Sequence, residues 1–292
     1  MASSPARART LLVGSLGLAL TLGCAAPAAN ASSAASAATR AANPPAAAAP
    51  VAYGNPATIQ RAADNAAAYA SARGYLSGVA VVDMATRRAY TGGRGTAYFP
   101  AESTVKVMLA ANLLANGKMT GSTAATARRM IVASSDAAAN QLYWSAGGDG
   151  VVSWAAARYG ISALGTGPTK GTGWWGSFII SPLGFAQFLA AARRDPAVGP
   201  WLVDTMAGMW AEAADGTNQV FGLYAADRTA VVKQGWGGTW PNGGITMTGS
   251  VGWVRSGRYA VALFVGHVPP TSQSACIDVT TGAAKVLLAG LA

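Results

Sequence analysis

The chain has 292 residues, 51% of them hydrophobic and 11% charged, with a formal net charge of +10, one histidine and two cysteines. That length and apolar content suit one well-buried domain, and so few His and Cys leave a zinc site almost without ligands and a His-based triad with one candidate, His267. No basic run concentrates the positive charge, which argues against a nucleic-acid partner and leaves an anionic cell envelope or simple solubility as its uses.

Residues 1–31 read as an export signal: Arg7 and Arg9, an apolar stretch Leu11–Leu22, then a cleavage site at Ala29-Asn-Ala31. The stretch is shorter than the about 20 residues that span a bilayer, so no transmembrane segment is expected in the mature protein. Cleavage after Ala31 competes with lipidation at Cys24, where Thr21 sits at a place a lipobox fills with leucine. On either account the protein is expected to be exported, secreted or associated with the envelope, and loss of Arg7 and Arg9 takes its net charge from +10 to +8. Residues 32–56 are Ala, Pro and Ser with little to bury, a flexible linker. The remainder, 57–292, is expected to be one domain without internal repeats. With Cys24 cleaved off or lipidated, Cys276 is its only thiol, so no disulfide forms within it and Cys276 is expected to be a small buried residue.

Leu76–Asp83, a turn with Arg87 and Arg88, and Ala89–Thr91 predict a first hairpin. Next comes Ala97-Tyr-Phe-Pro-Ala-Glu-Ser-Thr-Val-Lys-Val-Met-Leu109, whose Ser103 and Lys106 lie three apart at the start of an apolar helix, on one face and one turn from each other. A serine hydroxyl is a poor nucleophile unless a base takes its proton, and a lysine in a desolvated pocket can lose its charge and do so. Alone, the pair is equally a helix start with a surface lysine. Downstream lie Met130-Ile-Val-Ala-Ser-Ser-Asp-Ala-Ala-Ala-Asn140 and Val231-Val-Lys-Gln-Gly-Trp236. Between them, Asp149 before the helical Ser153–Gly160 predicts an N-cap. Strand-like runs follow at Ala230–Trp236, Ile245–Val254 and Tyr259–Val265, then a closing helix from about Thr280. His267, at the end of the last strand and before Pro269-Pro270, reads as structural.

In order and flanks, these segments resemble the SxxK, SDN and KTG elements of class A beta-lactamases and penicillin-binding proteins, over most of the mature chain. The resemblance implies an α+β fold, an antiparallel sheet flanked by the terminal helices with an all-helical lobe inserted between about Pro100 and Ala214. It implies Ser103 as nucleophile, Lys106 as its base, and Ser134 and Asp136 as the middle motif. Lys233, Gln234, Gly235 and Trp236 would bind substrate, with the backbone N–H groups of Ser103 and Trp236 forming an oxyanion hole and Gly235 leaving room for the acyl group. The substrate would be a small molecule or a peptidoglycan-type peptide; no metal and no cofactor is implied, and the oligomeric state is open.

The departures carry as much information. Counting back from Asn140, one register puts Ser134, Ser135 and Asp136 in the three middle-motif places; a second, Ser135-Asp136-Ala137, loses the asparagine, and a helix N-cap cluster is compatible with both. An ionised aspartate only accepts hydrogen bonds, and it would hold Lys106 charged, opposing its use as a base. Gln234 stands where the family has Thr or Ser, and its amide would reach a substrate carboxylate on a longer arm. The 31 residues from Ser103 to Ser134 imply a trimmed lobe. The loop Leu164–Phe178, where class A enzymes carry a deacylating glutamate, has no acid and instead Lys170 and Trp174-Trp175. These residues point to a serine hydrolase or acyl-transferase with slow beta-lactam turnover, and the rivals are a catalytically degenerate envelope-binding or sensor module and an SxxK esterase.

Overall fold

A computed structural model describes residues 54–169, 171, 173–238 and 244–291. The expected export signal, nearly all of the linker and Lys170 lie outside them. The first helix, α1 (Pro56–Ser71), opens with an Asn55 side chain capping the Ala57 N–H and a proline in its first turn, two strong start signals. Its buried face is Ile59, Ala62, Ala63, Ala66, Ala67 and Ala70, the spacing of one helical stripe built almost wholly from alanine.

Strands β1 (Leu76–Asp83) and β2 (Ala89–Gly93) form the predicted hairpin. After β3 (Phe99–Pro100) the chain enters the lobe: α2 (Lys106–Ala115), α3 (Gly121–Val132), α4 (Asp136–Leu142), α5 (Val151–Tyr159), β4 (Gly165–Thr166), β5 (Ile179–Ile180), α6 (Pro182–Arg194) and α7 (Gly199–Ala207); α8 (Gly222–Ala226) follows outside it, its Leu223 buried in the core on the α1 side of the sheet. The lobe is mostly helical but not wholly so, because β3, β5 and β4 pair in a short antiparallel sheet that staples its loop to the nucleophile's approach. The chain returns through β6 (Val231–Gly237), β7 (Thr246–Val254) and β8 (Tyr259–His267) and closes with α9 (Gln273–Gly290). That last helix begins at Gln273, not near Thr280: Ser272 caps the Ala275 N–H, and the polar first turn disguised the start.

The large sheet is antiparallel throughout, in the order β2-β1-β8-β7-β6. Both its faces are covered, and the side-chain period of two divides each strand between two cores. From β1, Ala80 and Val82 join the lobe side while Val79 and Val81 join the side of α1 and α9; from β8, Ala260, Ala262 and Phe264 go one way and Val261, Leu263 and Val265 the other. Cys276 is buried in the α9 layer, as expected, with Thr248 and the carbonyls of Thr246 and Val265 around its sulfur. His267 ends β8 and contacts Pro269 and the Tyr75 ring.

The α1 layer sits so close to the sheet that small residues are obligatory. A β-carbon on Gly92 would lie 2.1 Å from the Ala63 carbonyl oxygen, and one on Gly290 2.6 Å from the Ala62 β-carbon. At the far end of the sheet Asp83, fully buried, takes two hydrogen bonds from Arg258 at 2.9 and 3.0 Å and one from the Ala85 N–H at 2.9 Å, tying the β1–β2 turn to the β7–β8 turn.

Candidate active site

Three segments meet where β6 faces the first turn of α2. Residues Glu102–Val105 form a single 3₁₀ turn that runs straight into α2. The turn is pinned by the Thr104 hydroxyl on the Ala101 carbonyl and by the Ala101 N–H on the Phe178 carbonyl at 2.8 Å, and Glu102 pays for the sharp entry with φ +46°. Beyond it α2 is apolar on all sides and buried, so Lys106 enters the core with its helix and its ammonium must find partners there.

It finds three. Lys106 Nζ donates to Ser103 Oγ at 2.8 Å, to the Ser134 carbonyl at 2.7 Å and to Asp136 Oδ1 at 2.6 Å, which matches the three hydrogens of an ammonium. The fourth neighbour is the Trp175 ring, its centroid 4.3 Å from Nζ. Burial pushes the Lys106 pKa down, while the hydrogen bond and charge of Asp136, with the charges of Asp215 and Glu102, hold it up; the net direction is down.

The second lysine has no carboxylate in contact. Lys233 is fully buried on β6 and donates to Ser134 Oγ at 2.8 Å and to the Gln234 carbonyl at 2.6 Å. Burial, and next the charge of Lys106, drive its pKa well below the ordinary lysine range. Ser134 Oγ lies 3.5 Å from Lys106 Nζ, so Ser103, Lys106, Ser134 and Lys233 form one connected chain of polar atoms.

Ser134 and Asp136, the first and third places of the first register, both contact Lys106. Ser134, at φ +51°, turns its carbonyl and hydroxyl to the lysines; Ser135 is the N-cap of α4, accepting the Ala138 N–H at 3.3 Å; Asp136 begins the helix with its carboxylate on Lys106 and its side chain 65% exposed. The N-cap reading thus holds for Ser135 alone.

On β6 the alternation of side chains splits the expected substrate-binding set. Lys233 and Gly235 face the nucleophile turn, and Gln234 faces away. The Gln234 amide is fully buried and donates to the Phe221 carbonyl at 2.7 Å and the Gln219 carbonyl at 3.2 Å, so it is not presented to a substrate carboxylate as its place in the motif implied. A β-carbon on Gly235 would lie 2.9 Å from Thr104 Cγ2 and 3.0 Å from the Thr104 nitrogen. Glycine is needed there first for the strand to reach the nucleophile turn, rather than only to clear an acyl group. Trp236 holds Asp215 through its indole N–H at 3.1 Å.

Asp149 is not the expected N-cap. It accepts the Tyr143 hydroxyl and the Gly173 N–H at 2.9 Å, joining the end of α4 to the loop before Trp174. Four further residues shape the site without a sequence signal that assigned them. Trp175 covers Lys106, and Asn140, one helical turn after Asp136, accepts its indole N–H at 2.7 Å. Asp215, with Asp136, Ser134, Ser135, Ala137 and Ala214, lines a pocket of about 170 Å³ beside the lysines. Glu102 lies over Gly237, where a β-carbon would come within 2.3 Å of its carboxylate.

No protein-family model matches the sequence, and no curated protein matches it. Solved structures do match. A beta-lactamase from Streptosporangium roseum superposes with a TM-score of 0.59 at 18% identity, over 79% of this chain and 98% of that one. The TLA-3 extended-spectrum beta-lactamase gives 0.62 at 16% identity, over 81% and 99%. A reconstructed ancestral class A beta-lactamase gives 0.59 at 20%, over 78% and 99%.

Proposed function

We propose that this chain, whose fold is that of the class A beta-lactamases, is an exported serine hydrolase or acyl-transferase that forms a covalent acyl-enzyme at Ser103. The observation that carries the reading is Ser103 Oγ 2.8 Å from the Nζ of a fully buried lysine, with a second buried lysine one hydroxyl away. In the step this supports, Ser103 Oγ bonds to the carbonyl carbon of an amide, ester or beta-lactam. The bond from that carbon to the leaving nitrogen or oxygen breaks, and the serine proton passes through the Lys106 and Ser134 groups to the leaving atom.

Lys233, buried beside Ser134 with no carboxylate of its own, leaves a place for a substrate carboxylate, whose negative charge would favour the protonated lysine, and this favours D-Ala-D-Ala-type peptides and beta-lactams as donors. With the Gln234 amide spent on backbone carbonyls, carboxylate recognition falls to Lys233 acting through Ser134 Oγ. Hydrolysis of the acyl-enzyme should be slow, because Leu164–Phe178 offers no carboxylate to activate water and general-base help typically contributes about 10²–10⁴ in rate. The Asp136 carboxylate on Lys106 favours a second reading, a module that keeps the cleft for envelope binding or sensing and has lost turnover.

A fluorescent penicillin incubated with the wild type and with Ser103→Ala, then run on a denaturing gel, separates these. Label on the wild type alone is the expected result. Equal label on both removes Ser103 as nucleophile, and label on neither supports the binding module.

A further inference from the structure

The loop between β4 and β5 brings an aromatic ring against the lysine that holds Ser103 Oγ. Trp175 is 7% exposed, with its indole N–H fixed on Asn140 of α4 at 2.7 Å and its ring centroid 4.3 Å from Lys106 Nζ. The loop is tied to the nucleophile turn by the Phe178 carbonyl on the Ala101 N–H, and to the turn before α5 by the Gly173 N–H on Asp149. The ring is therefore held from both sides. What it meets is an ammonium whose three hydrogens are already committed to Ser103, Ser134 and Asp136.

We propose that Trp175 keeps water from the acyl-enzyme: it fills the loop-side approach to Ser103 and leaves Lys106 no direction in which to hold a water molecule. The inference rests on the acylation of Ser103 proposed above. Hydrolysis requires a water oxygen to bond to the acyl carbon as the bond from that carbon to Ser103 Oγ breaks. One water proton is returned to Oγ and the other leaves with the acid. The water must first stand about 3–3.5 Å from a carbon that is itself bonded to Oγ, and the inference is that the indole, centred 4.3 Å from the Lys106 Nζ that holds Oγ, denies it that space on the loop side. Trp175 is on this account a positioning residue: it changes the second half of the reaction by what it denies to water.

The test separates the two halves. Stopped-flow acylation by a chromogenic cephalosporin, followed by intact mass of the adduct over hours, is run on the full mature protein, on Trp175→Ala and on Trp175→Phe. Trp175→Ala should shorten the adduct's half-life at least tenfold, a larger change than it makes in the acylation rate. Trp175→Phe, which keeps a ring, should stay nearer to wild type. A ring that mattered only for packing would slow both halves together. Wild type and Trp175→Ala adducts of equal lifetime overturn the inference and leave the acyl-enzyme reading standing; a wild type that is never acylated overturns both. If Trp175→Ala does not fold, Asn140→Ala releases the ring without removing it, and an unchanged half-life there is equally decisive.

Discussion

At the scale of single residues the deciding contest is between Asp136 and burial over the charge on Lys106. Burial favours the neutral amine that a nucleophilic serine needs, and the carboxylate 2.6 Å away favours the ammonium. Replacing Asp136 by Asn removes the charge and keeps the shape. The Lys106 pKa then falls further, so acylation should set in at lower pH and run faster near neutrality, read from labelling rates across a pH series. An unchanged profile in a folded variant would leave Asp136 with a helix-start role only. The order and flanks of Ser103, Lys106, Ser134 and Lys233 implied that these residues meet, and the structure does bring them within hydrogen-bond reach of one another. What was not legible has a common cause. Gln234 and Trp175 differ from their neighbours in direction, not in type, and a strand buried on both faces gives no pattern that tells which face fronts the cleft. Asp215 and Glu102 reach the site from turns, where spacing carries no direction at all.

At the scale of elements, the α1 layer sets the tightest tolerance. Gly92→Ala would drive a methyl group into the Ala63 carbonyl, 2.1 Å away, and either α1 or the edge strand must move. A cost of about 1–3 kcal/mol is expected, measured as a lower denaturant midpoint. Labelling of Ser103 in the folded fraction should be kept, since α1 and the nucleophile turn lie on opposite faces of the sheet. A midpoint equal to wild type would mean that the helix yields freely. The strands were readable as strand-like apolar runs, and the lobe only through the resemblance to the family. The start of α9 was missed by seven residues because Gln273, Ser274 and Asp278 dilute its apolar stripe. The two-residue strands of the small sheet were missed because so short a pairing has no period.

At the scale of the whole molecule, stability is tied to acidic side chains that are few and engaged. For Asp83, burial alone would raise the pKa, but Arg258 and the backbone N–H groups of Ala85 and Thr86 outweigh it and hold the carboxyl below its ordinary range. A depressed folded-state pKa contributes stability above the unfolded value of about 3.9 and loses it as the pH falls through the folded one. Asp195, Asp215 and Asp227 are shifted the same way, so the melting temperature should drop steeply below about pH 4. Asp83→Ala, which strands Arg258 against a buried site, should cost about 3–5 kcal/mol at neutral pH, and its melting curve should depend less on acid than that of the wild type; parallel curves would show that Asp83 is not the group concerned. The sheet order carries a further consequence. Its central strand, β8, pairs with β1, Ser77 beside Val265, with the entire lobe spooled out between them. A ribosome must therefore finish nearly the whole chain before β1 meets its central partner, and contacts so distant in sequence close slowly. Through most of its synthesis the polypeptide stays unlocked and threadable, the condition that the export proposed above would require of it.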